Sequence, residues 1–160
     1  MRALLDVNVL IALLDADHSL HVRAMDWFAS HAKAGWASCP ITQNGCVRVM
    51  SHPGYPNALP VKAIMDRLAE ASASTFPEFW ADDISLLDAK VARSVRIHGP
   101  RQITDVYLLA LAVRHGGQFV TFDASVSREA PGGPALSPAL NQAVGTVTGG
   151  ASPSRFARRA

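Results

Sequence analysis

The chain has 160 residues, a common size for a single domain and enough to bury one sizeable core. Hydrophobic residues make up 49% of it, which excludes the disordered and fibrous classes. The formal net charge is +2, so the composition permits an anionic partner without requiring one.

Targeting and redox signals favour a cytoplasmic protein. The apolar N-terminal stretch is interrupted by Asp6, and no small-residue cleavage site follows it, as a signal peptide would require. No apolar run approaches the roughly 20 residues that span a bilayer, so no membrane is expected. Cys39 and Cys46 lack a second pair to complete a zinc site. Two buried thiols are the favoured interpretation, and a disulfide stays open.

The first half of the chain alternates strand and helix patterns. Residues 3–6 form a short apolar run typical of a buried strand, and helical periodicity begins at Val7. A second helical pattern follows and stops at Gly35. The run at 36–39 predicts a second strand, broken by Pro40. The next predicted elements are a helix over 41–51, a turn-rich segment over 52–60 and an amphipathic helix over 61–73.

The second half continues the alternation. Its predicted elements are a strand over 76–83, a helix over 84–99, a helix after the capping residue Thr104, and a strand over 118–123. This order predicts an α/β fold with a parallel sheet covered on both faces. After Arg128 the chain becomes rich in Pro, Gly, Ala and Ser. The composition therefore predicts a domain over 1–128 and a weakly ordered extension over 129–160.

Three isolated aspartates fall at one edge of the predicted sheet. Asp6 ends the first strand, Asp123 ends the fourth, and Asp105 opens the helix that leads into the fourth. The carboxyl ends of parallel strands share one edge, where ligands bind, so the three carboxylates are expected to converge. Taken singly, each has a structural explanation: Asp6 as a helix cap, Asp105 as a partner of the helix dipole, and Asp123 as a turn residue.

Converging carboxylates require a cation to neutralise them. Hard oxygen ligands without histidine or cysteine suit Mg²⁺, with Mn²⁺ as the alternative, better than zinc. Such a metal holds a phosphate ester and activates water, which is the chemistry of a phosphodiesterase or nuclease.

A resemblance to a known family rests on three segments, LLDVNVLIALLD (residues 4–15), ITQNGCVRV (41–49) and ITDVYLLALAVRHGGQFVTFD (103–123). In their order and separation they resemble the PIN domain, and within it the VapC toxins of bacterial toxin–antitoxin pairs. The resemblance covers the chain from residue 2 to about residue 126. It implies a three-layer α/β/α sandwich with a central parallel sheet, a metal-dependent ribonuclease activity, a homodimer, and a cognate VapB-like antitoxin that blocks the acidic site.

The same resemblance assigns roles to individual residues. Asp6, Asp105 and Asp123 correspond to the acids that hold the family's metal. Asn8 stands where the family often carries a small polar residue, and Thr121 precedes Asp123 by two. Both are expected to hydrogen-bond to a metal-binding carboxylate and so to fix its orientation.

The chain departs from the family pattern at one position. PIN nucleases commonly carry a glutamate early in the helix after the second strand, where this chain has Gln43. Glutamine brings no charge and cannot act as a base, which predicts a weakened second metal site. Asn44 is an alternative polar neighbour. Asp82–Asp83 is either a compensating acid or, as the favoured interpretation, the cap of a helix beginning near Ile84.

Several arginines are candidates for holding RNA phosphates at the rim of the site, although a solvated helix face is the favoured explanation for most of them. They are Arg48, Arg93, Arg96, Arg101 and Arg114. Arg101, four residues before Asp105, is the best single candidate for a substrate contact.

The leading hypothesis is a Mg²⁺-dependent endoribonuclease toxin whose catalytic set is Asp6, Asp105, Asp123 and Gln43. One rival is a module that binds RNA or its antitoxin without cleaving, because Gln43 replaces the usual acid. Another is a metal-dependent phosphohydrolase of small molecules. Cleavage of a structured RNA, with a small phosphoester left intact, separates the first hypothesis from the other two.

Overall fold

A parallel sheet forms the centre of the molecule. The computed structural model describes residues 1–88, 91, 99–123 and 144–146. The strands are Ala3–Leu5 (β1), Trp36–Ser38 (β2), Pro77–Phe79 (β3), Gln118–Thr121 (β4) and Val144–Thr146 (β5). They pair in the order β3-β2-β1-β4-β5, and every pair is parallel. The predicted parallel sheet is therefore confirmed.

Helices cover both faces of this sheet. The α-helices whose two ends both lie in the described residues are Val7–Leu14 (α1), His21–His31 (α2), Pro40–Met50 (α3), Val61–Ser72 (α4) and Ile103–Arg114 (α5). Leu4 of β1 lies in the apolar core shared with α5, whereas its neighbour Leu5 lies in the core shared with α1, α3 and α4. Alternate strand residues thus serve opposite helix layers. The three-layer α/β/α architecture is confirmed.

The strand register brings three carboxyl ends together. Leu5 of β1 lies beside Val120 of β4, and Leu4 lies beside Ala37 of β2. Helices α1 and α3 each begin two residues after the strand that precedes them. The ends of β1, β2 and β4 therefore form one edge together with the starts of two helices, which is where open parallel sheets bind their ligands.

The segment after β3 differs from the prediction. The apolar pattern predicts a strand over 76–83, but β3 ends at Phe79. It also predicts a helix from near Ile84, whereas residues 81–88 form a loop with a turn, so this prediction is wrong at its start. Most of the remaining predicted helix lies outside the described residues. Asp82–Asp83 does not cap a helix at that position, and the favoured interpretation of the pair is wrong.

The spacing of three apolar residues explains the error. Ile84 and Leu86 both pack against the core beside α5. Leu87, the next residue, is 95% exposed. Contacts at positions two apart belong to extended chain, because a helix would turn positions 84 and 86 to different faces.

A fifth strand lies in the C-terminal segment, where the sequence predicts weak order. β5 pairs with the outer edge of β4, with Gly145 beside Val120. Backbone hydrogen bonds are sufficient for such pairing, so a three-residue strand needs no apolar periodicity. The division into a domain over 1–128 and an extension over 129–160 stays a prediction, although the sheet itself reaches into the second part.

The two cysteines are free and buried, as predicted. Burial raises the pKa of Cys46 to about 12, which keeps this thiol protonated. In the part of the chain that the structure describes, no helix combines the length and the apolar character needed to cross a membrane.

Candidate active site

Asp6 links the end of β1 to the start of α1. One carboxylate oxygen, Oδ1, accepts a hydrogen bond of 2.7 Å from the backbone N–H of Val7, so Asp6 caps α1. The other oxygen, Oδ2, accepts a hydrogen bond of 2.6 Å from the hydroxyl of Thr121. The residue is only 9% exposed. The predicted capping role is therefore observed, and it leaves Asp6 held at the carboxyl edge of the sheet.

The surroundings of Asp6 disfavour its negative charge. Burial raises the pKa of Asp6, hydrogen bonds from Thr121 and Val7 oppose the rise, and the charge of Asp123 adds to it. The hydroxyl of Thr121 bonds both to the carboxylate of Asp6 and to the backbone N–H of Asp123, so the two aspartates belong to the same edge of the sheet. The edge therefore concentrates negative charge where a cation would be stabilising.

Thr121 connects the two aspartates. Its hydroxyl donates to Asp6, and it accepts hydrogen bonds of 3.0 Å from the side-chain amide of Asn8 and 3.0 Å from the backbone N–H of Asp123. The side-chain oxygen of Asn8 in turn accepts a hydrogen bond of 3.2 Å from the backbone N–H of Phe122. Asn8 and Thr121 thus form a hydrogen-bonded link between α1 and the end of β4, and their role in orienting a metal-binding carboxylate stays a prediction.

Asp105 lies in the first turn of α5 and is half-buried. The opposite end of α5 leads into the start of β4, where the backbone N–H of Gln118 donates a hydrogen bond of 2.9 Å to the carbonyl of Arg2. The helix therefore runs back across the sheet against the strand direction. Its first turn, with Asp105, therefore lies toward the carboxyl ends of the strands, but among the described residues Asp105 does not complete a group of three acids close enough to hold a metal.

Gln43 stands at the neighbouring strand end. Its side-chain amide donates a hydrogen bond of 2.9 Å to the hydroxyl of Ser38, the last residue of β2. Continuing the register of β1 and β2 sets Ser38 beside Leu5, one residue before Asp6. Asn44 is exposed on the same helix. The anchor Ser38 was not predicted, because a serine at a strand end carries no recognisable sequence signal.

Asp82 and Asp83 contact two different parts of α5. Asp83 lies 3.3 Å from the imidazole of His115 and 3.6 Å from the guanidinium of Arg114, both at the end of the helix. Asp82 lies near Tyr107, in the first half of the helix, and its charge acts on the hydroxyl of that tyrosine. Burial, together with the charge of Asp82, raises the pKa of Tyr107 to about 12, so the hydroxyl stays protonated. Of this pair, Asp82 stays the candidate for a compensating acid.

The predicted arginines are spread over the molecule. Arg101 is exposed in the short 3₁₀ turn Pro100–Gln102, directly before α5. Arg48 is exposed on α3, where it lines a groove between α3 and α4 that also includes Gln43. Arg114 lies at the far end of α5. The remaining two, Arg93 and Arg96, lie outside the described residues.

An arginine that the sequence did not single out lies beside the end of β4. The guanidinium carbon of Arg23, on α2, is 5.6 Å from the centroid of the Phe122 ring, in cation–π geometry. The two residues are almost 100 positions apart, so no local motif could have revealed the contact.

The carboxylates at this edge of the sheet determine which metal ion could bind there. Among the described residues, no three His, Cys, Asp or Glu side chains are grouped closely enough to hold an ion. Asp6 and Asp123 are linked through the hydroxyl of Thr121, and Mg²⁺ is usually bound by one or two carboxylates together with waters and substrate phosphates. Hard oxygen donors also favour Mg²⁺ or Mn²⁺ over zinc. Two carboxylates with no histidine or cysteine beside them in the described part of the chain therefore fit Mg²⁺ better than zinc.

Curated relatives share most of the chain. Ribonuclease VapC44 of Mycobacterium tuberculosis is 56% identical over 127 residues, which is 79% of this chain and 89% of that protein. Ribonuclease VapC38 of the same organism is 45% identical over 125 residues, or 78% and 86% of the two chains. Ribonuclease VapC39 is 40% identical over 134 residues, or 83% and 96%.

A family model and a solved structure agree with these relatives. The model of the PIN domain matches residues 3–130. The crystal structure of VapBC2 from Rickettsia felis bound to a DNA fragment from their promoter superposes with a TM-score of 0.54, covering 91% of this chain and 98% of that one. At 12% identity this likeness concerns the fold alone. This chain therefore belongs to the PIN-domain family, within its VapC branch.

Proposed function

We propose that this chain is a Mg²⁺-dependent endoribonuclease, the toxin of a VapBC-type toxin–antitoxin pair. The observation that carries the proposal is the joined arrangement of Asp6, Thr121, Asn8 and Asp123 at the carboxyl edge of the sheet. The names of the VapC relatives, which are called ribonucleases, support the same activity.

Asp6, Asp105 and Asp123 would hold the metal, with Mn²⁺ as an alternative ion. When bound, a divalent ion of this kind polarises a phosphodiester and makes water a stronger nucleophile. The protein's own contribution is orientation. Thr121 fixes Oδ2 of Asp6, and the Val7 N–H fixes Oδ1, so this buried carboxylate has little freedom to rotate. Such fixed geometry reduces the reorganisation needed on reaction.

Gln43 has a positioning role in this proposal. Its amide is held by Ser38, which leaves its carbonyl oxygen as the acceptor for a water or a ribose hydroxyl. Because this side chain carries no charge, the proposed site has one acidic residue fewer than the usual PIN pattern. The second candidate function, binding of RNA or antitoxin without cleavage, rests on that observation.

The partners proposed for this chain follow from its VapC membership. They are an RNA substrate, a VapB-like antitoxin that covers the acidic edge, and a second copy of the chain in a cytoplasmic homodimer. The Rickettsia felis neighbour is itself part of a VapBC complex on promoter DNA, which supports the antitoxin as a partner.

The experiment compares substrates and cations. Purified protein is incubated with a structured RNA and, separately, with bis(p-nitrophenyl) phosphate, each in Mg²⁺ or in EDTA. We expect cleavage of the RNA in Mg²⁺ only, with the small ester intact. Hydrolysis of the small ester alone would contradict the proposal and favour the small-molecule phosphohydrolase.

The role of Gln43 is tested in the same assay with Gln43→Glu. We expect the wild type to cleave the RNA, at a rate similar to or lower than that of Gln43→Glu. A silent wild type beside an active Gln43→Glu would instead identify a disarmed PIN domain whose function is binding.

A further inference from the structure

A groove between α3 and α4 leads away from the acidic edge, the carboxyl edge of the sheet that carries Asp6 and Asp123. Gln43 belongs to both, because its amide donates a hydrogen bond of 2.9 Å to Ser38 at the end of β2 and its side chain lines the groove. Since α3 begins just after β2 ends, the helix and the groove extend from that edge. The groove has a volume of about 510 Å³, which is in the range of pockets that bind small organic groups.

The wall of the groove formed by α3 is polar. Asn44, Arg48 and Ser51 line it. Their spacing of four and then three residues sets them in one row along the helix. Arg48 lies about 7.5 Å along α3 from Gln43, at 1.5 Å per residue. That distance is about the length of two stacked nucleotides, at roughly 3.4 Å each.

The guanidinium of Arg48 is available to a ligand. Arg48 is exposed, and within the described part of the chain its side chain makes no ion pair or hydrogen bond. By contrast, Arg2 lies 2.8 Å from Glu78, and Arg114 lies 3.6 Å from Asp83. The groove therefore carries a positive charge that can bind an anionic group.

The wall formed by α4 is apolar and exposed. Val61 and Met65 lie one helical turn apart on this wall and are 52% and 55% exposed. Apolar side chains opposite an available cation suit a ligand that combines an anionic group with an apolar surface. A nucleotide has both, because its phosphate is anionic and its base has apolar faces.

The charges at the acidic edge give Arg48 a specific task. An RNA strand entering this edge meets electrostatic repulsion from the carboxylates. A positive charge further along the strand would offset that repulsion for a phosphate near the reacting one. Arginine also presents a planar set of N–H donors that matches two oxygens of one phosphate.

We propose that the groove between α3 and α4 binds the RNA strand next to the reacting phosphate. Arg48 binds a backbone phosphate, and Val61 and Met65 contact a base. The inference rests on the proposed function, since the strand has to pass the acidic edge. It requires no cleavage, however, so binding and cleavage are measured separately.

The test is the affinity for a fluorescein-labelled RNA hairpin with a single-stranded loop, measured by anisotropy over a series of salt concentrations. The measurements are made in EDTA, which prevents metal-dependent cleavage, and repeated with Ca²⁺. We expect Arg48→Gln to raise Kd roughly tenfold, as for loss of one charge-assisted hydrogen-bonded contact. The slope of log Kd against log salt should fall by about 0.7, the value for one phosphate contact on a single strand.

Two further variants separate the charge from the apolar wall. Arg48→Lys keeps the charge without the planar fork, so the salt slope should be retained while Kd recovers only in part. Met65→Gln removes apolar contact without changing the charge. It should raise Kd about threefold and leave the salt slope unchanged.

Arg67→Gln is the matched control. Arg67 is also an exposed arginine, and it lies on α4 two residues from Met65, but it lines a different pocket beside Asp15 and Asn57. Its loss should leave Kd and the salt slope unchanged. Sedimentation velocity of the same samples reports whether the groove is instead covered by a second copy of the chain.

The inference is overturned if the wild type does not bind the RNA. Unchanged Kd and salt slope in Arg48→Gln would also overturn it, and would leave the groove to a protein partner. A dimer that dissociates in Met65→Gln while the RNA affinity is kept would assign the groove to the contact between two copies, again against the inference. If the Arg48 and Met65 effects are found and the RNA-cleavage assay is negative, the inference stands and the ribonuclease proposal fails.

Discussion

The hydroxyl of Thr121 makes three hydrogen bonds at once, donating to Asp6 and accepting from Asn8 and from the backbone of Asp123. A hydroxyl has one donor and two acceptor sites, so this group is fully used. Thr121 is completely buried, which leaves water no part in the arrangement. A single side chain therefore fixes the relative positions of α1 and the segment that ends β4.

A second buried carboxylate shows the opposite electrostatic behaviour. Asp15, directly after α1, accepts hydrogen bonds of 2.5 Å from the Tyr55 hydroxyl and 3.1 Å from the Asn57 amide. Burial alone would raise the pKa of Asp15, but these bonds and one from the Asp17 N–H together lower it. Asp15 thus ties the loop between α3 and α4 to the end of α1.

The lowered pKa of Asp15 predicts that the stability of the fold depends on pH. Because the pKa of Asp15 is lower in the folded chain than its ordinary value of 3.8, its ionised form stabilises the fold above that pH. The contribution is lost as the pH falls through the folded-state pKa. Asp15→Asn should therefore lower the free energy of unfolding by about 1–2 kcal/mol near pH 7. That deficit should shrink as the pH falls below 3.8.

Urea unfolding of the wild type and Asp15→Asn, from about pH 7 down to about pH 3, checks the prediction. Asp66→Asn serves as the control, since Asp66 is exposed and pairs with Lys62 on the surface of α4. A deficit for Asp15→Asn that stays constant with pH would show that the Asp15 charge has no part in the stability.

At the scale of elements, Gly45 permits α1 and α3 to cross closely. A Cβ atom at Gly45 would lie 2.6 Å from Cγ2 of Val7, well inside van der Waals contact. Val7 follows Asp6 in the first turn of α1. The absence of a side chain at Gly45 therefore lets the start of α1 pack closely against α3, which helps to set the position of Asp6.

Gly45→Ala is expected to destabilise the protein in spite of the better helix propensity of alanine. Overpacking costs about 2 kcal/mol, and the propensity gain offsets about 1 kcal/mol, so the net loss is about 1 kcal/mol. The double variant Gly45→Ala, Val7→Ala should be more stable than the sum of the single effects, because removing the Val7 methyl groups relieves the clash.

Denaturant unfolding of the two single variants and the double variant measures this coupling. Gly99→Ala is a suitable comparison, since no atom lies within 4 Å of a Cβ built there. Strictly additive effects at Gly45 and Val7 would rule out the steric explanation.

The elements that could be predicted from the sequence are those whose apolar pattern matched one structure only. The buried run of β1 and the periodicity of α4 are of this kind. The segment from Ile84 was ambiguous, because Ile84 and Leu87 are spaced to share one face of a helix when they are considered without the core that Ile84 and Leu86 contact. β5 could not be predicted, since it depends on the open edge of β4 rather than on its own side chains.

At the scale of the whole molecule, the candidate site joins residues from both ends of the domain. The alternation of strands and helices was enough to predict that Asp6 and Asp123 follow neighbouring strands at the carboxyl edge, whereas the convergence of Asp105 with them stays a prediction. The hydrogen bond between Asp6 and Thr121, 115 residues apart, and the cation–π contact between Arg23 and Phe122 could not be predicted, because side-chain contacts of this kind depend on tertiary packing.

The outer edge of β4 gives a prediction for the C-terminal part of the chain. β5 covers that edge, and β4 carries Thr121 and leads to Asp123. A protein ending at residue 130 lacks β5 and should lose about 2 kcal/mol of stability, or several degrees in melting temperature, because its ladder hydrogen bonds are gone. A protein ending at residue 150 keeps β5 and should melt close to the full chain.

Calorimetry of the three proteins tests the role of β5, and RNA cleavage by the same samples tests its effect on the site. Equal melting temperatures for the proteins ending at 130 and 150 would show that β5 does not contribute to the sheet's stability.

The central claim, that the acidic edge is a metal-dependent ribonuclease site, is tested most directly by Mg²⁺-dependent RNA cleavage by the wild type and Asp6→Asn, with Asp66→Asn as the control. Asparagine caps helices as well as aspartate does, so Asp6→Asn removes the charge while α1 keeps its cap. We predict that Asp66→Asn cleaves like the wild type and that Asp6→Asn loses at least about 100-fold in rate. Cleavage by Asp6→Asn at the wild-type rate would contradict the account.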